Sequence, residues 1–344
     1  MPGRFLIIQT AFIGDAILAT ALLEDLHRAW PNAKIDLLVR RGNESLFTDH
    51  PFINELLIWE KKTGKYQSLW QLLGRIRATP YKAVINLQRF GATGILTAFS
   101  GASVTIGFDK NPFSTFFTYS IPHQIGPNLR GVRHEVERNN DLLRPLDVPN
   151  YGKSRPKLYP SRADYSAVAQ WQSMPYVCIA PTSVWFTKQY PASGWIKVIE
   201  RLPANWRVYL LGAPSDMGAC EHIRVEVGHD RVVNLAGQLS LLQSAALLQG
   251  ARMNYVNDSA PLHLCSAMNA PTTAVFCSTV PGFGFGPLAD NSRVAEVREL
   301  LECRPCNLHG RKDCPLSHFR CAYAIDIDDI AGGPASTGTA IRTV

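Results

Sequence analysis

The sequence predicts an α/β protein of two domains, each built on a parallel sheet with flanking helices. Three observations support this prediction: a strand–helix–strand unit near residue 1, an irregular stretch near the middle, and a second alternation of strands and helices after it. A chain of 344 residues also exceeds the size of one small core, so two domains of ordinary size are expected.

The first domain opens with the apolar run Phe5–Gln9, which has the length of a strand. A turn at Ala11–Gly14 leads into AILATALLEDLHRAW, where apolar residues recur at helical spacing. Pro31 ends this helix, and Lys34–Val39 is predicted as the next strand. The later predicted elements are strands at Glu55–Trp59 and Ala83–Asn86 and helices at Trp70–Ala78 and His134–Leu146.

The segment Val148–Arg162 interrupts this pattern, because it contains three prolines, a glycine and several charges without periodicity. We therefore expect a first domain at 1–150, a linker at 151–165, a second domain at 166–330 and a disordered tail at 331–344. The second domain is predicted to contain strands at Tyr176–Ala180, Arg207–Leu211, Met253–Val256 and Thr273–Phe276. Its predicted helices are Ser193–Arg201, Met217–Val227, Leu239–Gln249 and Ala260–Met268.

The composition limits the classes of protein to which this chain can belong. Hydrophobic residues make up 46% and charged residues 18% of the chain, which is typical of a globular protein. No apolar run approaches the roughly 18–20 residues of a spanning helix, and MPGRFLIIQTAFIGD is unlike a secretory signal, so a cytoplasmic protein is expected. The net charge of +7 favours anionic partners, but its basic residues are scattered singly, so no nucleic-acid partner is expected.

The turn after the first strand carries the first candidate for chemistry, Asp15, which follows Gly14. In an open parallel sheet the ligand crevice lies at the carboxyl ends of the strands, so this carboxylate is expected to face a ligand. The alternative is that Asp15 only caps the helix, a position that aspartate favours. The fingerprint G-x-G-x-x-G is absent from this turn, which argues against an NAD-dependent oxidoreductase.

Three loops of the second domain offer polar groups directly after predicted strands, where helix N-termini can hold a diphosphate. An ordinary polar loop, a plain N-cap and a buried histidine are the alternatives for these residues taken singly. The candidate residues are Thr182, Ser183 and Lys188 after the first strand, Asp216 after the second, and Asp258, Ser259, Ala260 and His263 after the third.

Taken together, these motifs resemble one family. FLIIQTAFIGDAILATALLEDLHRAWPNAKIDLLV resembles the opening of the ADP-heptose:lipopolysaccharide heptosyltransferases, and NLAGQLSLLQSAALLQGARMNYVNDSAPLHLCSAMNAPTTAVFCST is similar to their nucleotide-binding half. Between them, NLQRFGATG, IGFDK and HEVERNNDLL also match the family. The resemblance covers residues 4–330, with departures at Ala260, Ala21 and Gln9, where relatives often have glycine, proline and a basic residue.

The resemblance implies a GT-B fold, in which two Rossmann-like domains with parallel sheets face a central cleft. It implies an inverting transfer of heptose from ADP-heptose to the phosphorylated inner core of lipopolysaccharide, without a catalytic metal. Carried over, Asp15 is the general base, Lys188 stabilises the departing diphosphate, and the other candidates contact the nucleotide-sugar. Because the acceptor is a lipid, contact with the cytoplasmic face of the inner membrane is expected, with Asn111–Tyr119 as the candidate surface or, alternatively, a buried strand and turn.

Four cysteines cluster near the end of the second domain with the spacing C-x2-C-x7-C-x6-C, namely Cys303, Cys306, Cys314 and Cys321. Four thiols at such spacing can hold a structural zinc or iron, as some protein-modifying heptosyltransferases do, although the spacing matches no standard zinc module. Two further functions stay open: a glycosyltransferase of this fold with another nucleotide-sugar or a protein acceptor, and a non-catalytic nucleotide-sugar-binding module.

Overall fold

The protein consists of two α/β halves that share one strand order. The computed structural model describes residues 3–61, 64–125 and 133–332. Within these residues, each half holds a six-stranded sheet whose neighbouring strands all run parallel.

The sheet of the first half has the order β3-β2-β1-β4-β5-β6. Its strands are β1 (Arg4–Ile8), β2 (Lys34–Arg40), β3 (Ile53–Trp59), β4 (Ala83–Asn86), β5 (Val104–Phe108) and β6 (Tyr119–Ile121). Its helices are α1 (Ile13–Ala29), α2 (Lys65–Arg77), α3 (Gly91–Ala98) and α4 (Glu135–Asn140).

The sheet of the second half has the order β12-β11-β10-β7-β8-β9, which is the same pattern with the list reversed. Its strands are β7 (Tyr176–Ala180), β8 (Arg207–Leu210), β9 (Val232–Asn234), β10 (Met253–Asn257), β11 (Thr272–Phe276) and β12 (Ser292–Glu296). The helices are α5 (Arg162–Val168), α6 (Ala192–Arg201), α7 (Met217–Val227), α8 (Leu241–Gly250), α9 (Ala260–Met268), α10 (Arg320–Tyr323) and α11 (Ile327–Ala331).

Burial explains why these strands read as continuous apolar runs. Every residue of β7, β10 and β11 is buried, as expected for parallel strands covered by helices on both faces. Helix α1 packs against α9, and one hydrophobic cluster continues through this contact from the first sheet into the second. The two halves are therefore joined by an apolar interface beside the crevice between them.

The predicted α/β fold is confirmed, and most predicted elements agree with the structure to within a few residues. The pattern missed four short strands, β5, β6, β9 and β12, and four helices, α3, α5, α10 and α11. The predicted helix at His134–Leu146 is instead the short helix α4 followed by a 3₁₀ helix at Asp141–Leu146, which contains Pro145. Proline removes a backbone donor and clashes with the preceding turn, so the α-helix ends before it.

None of the helices in the described part of the chain combines the length and apolar character needed to cross a bilayer. From residue 333 onward, the disordered tail expected at 331–344 lies outside the described residues. The first residue of that expected tail, Ala331, is the last residue of α11.

Candidate active site

The carboxyl of Asp15 lies where the first strand gives way to the first helix. α1 begins at Ile13, and the side chain of its N-cap residue, Phe12, makes no capping hydrogen bond. Asp15 occupies the first turn of α1 and is partly exposed to solvent. It sits beyond the carboxyl end of β1, which pairs with β4 where the strand order of the first sheet reverses. Ligands of open parallel sheets bind at such points.

The surroundings make Asp15 a stronger base than an ordinary carboxylate. Burial raises the pKa of Asp15 to about 6, and the negative charge of Glu135 acts in the same direction. Backbone hydrogen bonds at Phe12 and Asp15, and the positive charge of Lys188, oppose this rise in pKa. A carboxylate whose pKa approaches the working pH is suited to accept a proton from a hydroxyl.

Glu135, the first residue of α4, is a second carboxylate in this region. Its Oε2 lies 2.7 Å from Arg138 Nη2 and 3.7 Å from His123 Nε2. Burial acts to raise the pKa of Glu135, but His123 and Arg138 outweigh it and the pKa is lowered. Glu135 therefore carries a fixed negative charge, which favours the protonated form of Asp15.

Helix α4 also ties the first half to a loop of the second. The backbone N–H of Glu135 donates to the carbonyl of Gly284 at 2.8 Å, and Arg138 Nη2 donates to the carbonyl of Phe283 at 2.9 Å. Gly284 has a φ of +93°, and an added Cβ there would clash with the Arg133 carbonyl. Only glycine suits this conformation and this approach, so the loop and α4 form one fixed wall of the cleft.

In the second half, the buried carboxylate of Asp258 forms an ion pair with the half-buried Lys188. Lys188 Nζ lies 2.7 Å from Asp258 Oδ2, and Thr279 Oγ1 donates to the same oxygen at 2.7 Å. These residues follow β7, β10 and β11, and β7 pairs with β10 at the reversal of the second sheet. The cation, carboxylate and hydroxyl are thus gathered at the point of the second sheet that corresponds to Asp15 in the first.

His263 of α9 brings the two halves together. A Cβ added to Gly14 would lie 2.6 Å from His263 Cδ2, so the backbone of the first half packs directly on this imidazole. Burial lowers the pKa of His263 to about 4, with Asp258 acting in the opposite direction, so the ring is neutral at pH 7. Its buried Nδ1 has no hydrogen-bond partner in the described residues. The histidine is therefore not a satisfied core residue.

The loop after β7 is anchored by Asn257, the last residue of β10. Its amide accepts from the backbone N–H of Tyr190 at 2.9 Å and donates to the carbonyls of Ala180 and Thr182 at 3.4 Å. Thr182 and Ser183 lie in this loop and are partly exposed.

Ser259 is the N-cap residue of α9, but its side chain makes no capping hydrogen bond. Ala260 begins that helix, and both residues are partly exposed. The first N–H groups of a helix lack intrahelical partners, so this helix start offers donors to an anion.

The contacts of Asp216 differ from those of the other candidate residues. Its Oδ2 accepts from the backbone N–H of Ala213 at 2.8 Å, and its side chain packs on Gly212 in the turn after β8. Among the described residues, no hydrogen bond or ion pair joins Asp216 to Lys188 or Asp258. A ribose contact at Asp216 stays a prediction.

The segment that carries the cysteines reaches the residue beside Lys188. Thr187 is buried, its backbone N–H donates to the Arg311 carbonyl at 3.1 Å, and Arg311 N–H donates to Thr187 Oγ1 at 2.8 Å. Ser278 Oγ donates to the same hydroxyl oxygen at 2.9 Å, and Ser278 N–H donates to the Thr187 carbonyl at 3.2 Å. Three segments therefore meet at Thr187 and fix the backbone that presents Lys188.

The four clustered cysteines lie within electrostatic reach of one another. Burial raises the pKa of the Cys321 thiol to about 12, and Cys306, Cys314 and Cys303 contribute. Among the described residues, however, no group of three or more histidine, cysteine or acidic side chains is arranged to hold a metal ion. The structural zinc or iron therefore stays a prediction that rests on the spacing of the cysteines in the sequence.

Sequence reasoning missed Glu135, His123, Thr187, Thr279 and Arg138. The string HEVERNN contains two of them, and its resemblance to family members was the only signal. Thr187 is adjacent to the candidate Lys188 in the sequence, whereas His123 and Thr279 are brought near the site only by the fold.

Solved structures share this architecture. The glycosyltransferase family 9 protein from Veillonella parvula superimposes with a TM-score of 0.76 at 21% identity, covering 85% of each chain. The Escherichia coli heptosyltransferase WaaC with ADP gives a TM-score of 0.66 at 24% identity, covering 85% of this chain and 92% of WaaC. The iron-containing dodecameric glycosyltransferase TibC of E. coli gives a TM-score of 0.57 at 17% identity, covering 96% of this chain and 75% of TibC. The fold is GT-B, the two-domain class of glycosyltransferases.

Sequence comparison identifies the family within that class. The model for Glycosyltransferase family 9 (heptosyltransferase) matches residues 69–314. Lipopolysaccharide heptosyltransferase 3 of E. coli is 29% identical over 96% of this chain and 99% of the relative. Lipopolysaccharide heptosyltransferase 1 of Pseudomonas aeruginosa is 28% identical over 81% of this chain and 80% of the relative. The chain belongs to glycosyltransferase family 9, the heptosyltransferases, and is a glycosyltransferase enzyme.

Proposed function

We propose that this enzyme moves heptose from ADP-heptose to the inner core of lipopolysaccharide with inversion, using Asp15 as the general base. The observation that carries the proposal is the convergence of groups from both halves. Asp15 and Glu135 of the first half and Lys188, Asp258 and His263 of the second interact electrostatically across one cleft. A donor held by the second half would meet an acceptor held by the first.

Asp15 has the environment that an acceptor-activating base needs. In an inverting transfer, the acceptor oxygen attacks the anomeric carbon, its proton passes to a carboxylate, and the bond to the nucleoside diphosphate breaks. With a pKa of about 6, Asp15 is mostly ionised at pH 7 and takes the proton more readily than an ordinary aspartate.

Lys188 and the start of α9 supply the charge that the departing diphosphate requires. The ammonium is already held 2.7 Å from Asp258, so it meets the ligand in a fixed place. The N–H groups of Ser259 and Ala260 and the hydroxyls of Thr182 and Ser183 add donors beside it. Since these groups can stabilise the developing negative charge, we propose that transfer needs no divalent metal.

The donor and acceptor are proposed from the relatives. WaaC was solved with ADP and with ADP-2-deoxy-2-fluoro heptose, and the curated relatives are lipopolysaccharide heptosyltransferases. Because the proposed acceptor is a lipid, we propose that the enzyme works at the cytoplasmic face of the inner membrane. In the candidate surface Asn111–Tyr119, Asn111 and Phe117 are buried, whereas Phe116 and Tyr119 are exposed and could reach the lipid.

Thermal shift with ADP-heptose, UDP-sugars, GDP-sugars and NAD tests the donor, because a ligand that binds only the folded state raises its stability. ADP-heptose should give the largest shift, and release of ADP should require a core acceptor and persist in EDTA. If only another nucleotide-sugar stabilises the protein, the proposed donor is wrong. If the sugar is transferred only to a protein, the proposed acceptor is wrong. Donor binding without transfer to any acceptor would contradict the catalytic roles.

A further inference from the structure

A cavity adjoins the cleft, and none of the described residues that line it has been assigned to the donor. Its volume is about 700 Å³, which lies in the usual range for small-molecule sites. Its walls come from both halves, with Arg89, Phe90 and Lys110 from the first and Phe283 and His309 from the second. The buried imidazole of His123 also lines it.

The lining of this cavity is basic. Arg89, Lys110, His123 and His309 line it, and none of the described residues that line it is an aspartate or a glutamate. Within the described residues, Arg89 and Lys110 make no salt bridge and no side-chain hydrogen bond. Cations without partners beside aromatic rings suit an anionic group carried on a sugar, because the rings can cover the sugar while the cations bind the charge.

The backbone that carries these cations is held firmly. The buried amide of Asn111 donates to the carbonyls of Gln88 and Phe90, at 3.0 and 3.1 Å, on either side of Arg89. The carboxylate of Asp109 accepts from the backbone N–H of His123 at 3.0 Å. One short stretch of chain around Lys110 therefore fixes the positions of three basic residues before any ligand arrives.

His123 supplies an independent sign of a ligand. The residue is only 4% exposed, and its Nδ1 has no hydrogen-bond partner in the described chain. Its other ring nitrogen lies 3.7 Å from Glu135. Leaving a buried polar atom unpaired costs about 1–3 kcal/mol, so a ligand oxygen that accepts from or donates to Nδ1 would recover this cost.

The position of the cavity matches that of an acceptor. Through His123 it touches Glu135, the carboxylate that raises the pKa of Asp15. On the other side, the pKa of His309 is lowered by burial first and then by the charges of Lys188 and Arg89, so His309 lies near both. A sugar in this cavity would thus lie next to His123, which contacts Glu135, and next to His309, which lies near Lys188.

The geometry points to this cavity as the binding site of an anionic acceptor sugar, whose phosphate or carboxylate group contacts Arg89, Lys110 and His123. This inference rests on the proposed transfer reaction and assigns the recognition of its acceptor. It also gives the segment that follows Cys306 a role in the acceptor site, since His309 closes one wall.

The test compares Arg89→Gln and Lys110→Gln with Arg77→Gln, which removes an exposed charge of α2 in the same half. Each variant is assayed with a native core oligosaccharide, a phosphatase-treated one and a carboxyl-reduced one. We expect the Arg89 and Lys110 variants to raise the acceptor KM by about 10–100-fold, the range for hydrogen bonds to charged groups, with the Kd for ADP unchanged. Arg77→Gln should behave as wild type.

The treated acceptors identify the anion. Removing the group that binds the cavity should raise the KM of the wild type and abolish the difference between wild type and Arg89→Gln. Loss of that difference on phosphatase treatment assigns a phosphate, and loss on carboxyl reduction assigns a carboxylate. If the difference survives both treatments, or if neither variant changes the KM, the inference is wrong.

A binding experiment separates this inference from the proposed reaction. Glucose 6-phosphate and glucuronate are titrated into wild-type protein while the ring signals of His123 are followed by NMR. We expect a saturable shift with one of these probes, which Arg89→Gln weakens and Arg77→Gln does not. A shift without any transferase activity would refute only the reaction, whereas transferase activity with no shift from either probe would refute the anion site.

Discussion

Replacing Asp15 by asparagine is the sharpest test of the catalytic assignment, because it predicts opposite effects on activity and stability. The variant loses the proton acceptor, so turnover should fall by about 10²–10⁴, the usual contribution of a general base. The wild-type kcat/KM should decline as pH falls through about 6, where Asp15 becomes protonated. The residual activity of the variant should lack this decline.

The stability change follows from the same pKa. The value for Asp15 is about 6 in the folded protein and 3.8 ordinarily, and each pKa unit corresponds to 1.36 kcal/mol. The folded state binds the proton more tightly than the unfolded state, so wild-type stability falls as pH rises from about 4 to 6. Above pH 6, asparagine should therefore raise the free energy of unfolding by at most about 3 kcal/mol. Below pH 4 this advantage should disappear.

Urea unfolding at pH 4 and pH 7.5, with the pH dependence of kcat/KM, measures both effects. Asp49→Asn is the matched control, because Asp49 is exposed and its φ of +53° is one that asparagine tolerates. It should change neither property, within about 0.5 kcal/mol for stability. Retention of wild-type kcat by the Asp15 variant would refute the base assignment. A stability advantage that grew toward low pH would refute the electrostatic reasoning.

Lys188→Ala should weaken ADP binding by about 1.5–3 kcal/mol in calorimetry, and an unchanged affinity would place the diphosphate elsewhere. Thr187→Val, which keeps the shape but removes the hydroxyl shared by three segments, should raise the donor KM more than the acceptor KM; equal changes would show a general loss of fold. Gly14→Ala should destabilise the protein by about 1–3 kcal/mol and lower its activity, because the added Cβ would clash with the imidazole of His263. The control Gly74→Ala should leave stability unchanged or raise it, because no atom lies within 4 Å of the added Cβ. From the spacing of the four clustered cysteines we expect about one zinc or iron per chain in elemental analysis of untagged protein, and a stable, active, metal-free preparation would make them ordinary thiols.

Local sequence determined the fold class and the candidate loops for the chemistry. The apolar runs of β1, β7 and β10 and the helical spacing of α1 are visible without a structure, because strands buried on both faces must be apolar throughout. Loops after such strands converge at one edge of the sheet, so Asp15, Lys188 and Asp258 could be named as candidates from their positions, while the roles predicted for them came from the family resemblance. The shortest strands, β6 and β9, are three residues each and leave no periodic signal.

Tertiary structure decided how these residues act. Sequence could not show that Glu135 stands near Asp15, since the two are 120 residues apart and the charge that raises the pKa depends on distance in space. Nor could it show that Gly14 packs on His263 across the two halves. The basic cavity is the clearest case: Arg89, Lys110 and His309 are scattered singly along the chain, and only packing of the two halves encloses them around one space. Contacts between distant residues and enclosed cavities arise only from the fold, whereas the positions of strands and loops can be predicted from the local sequence pattern.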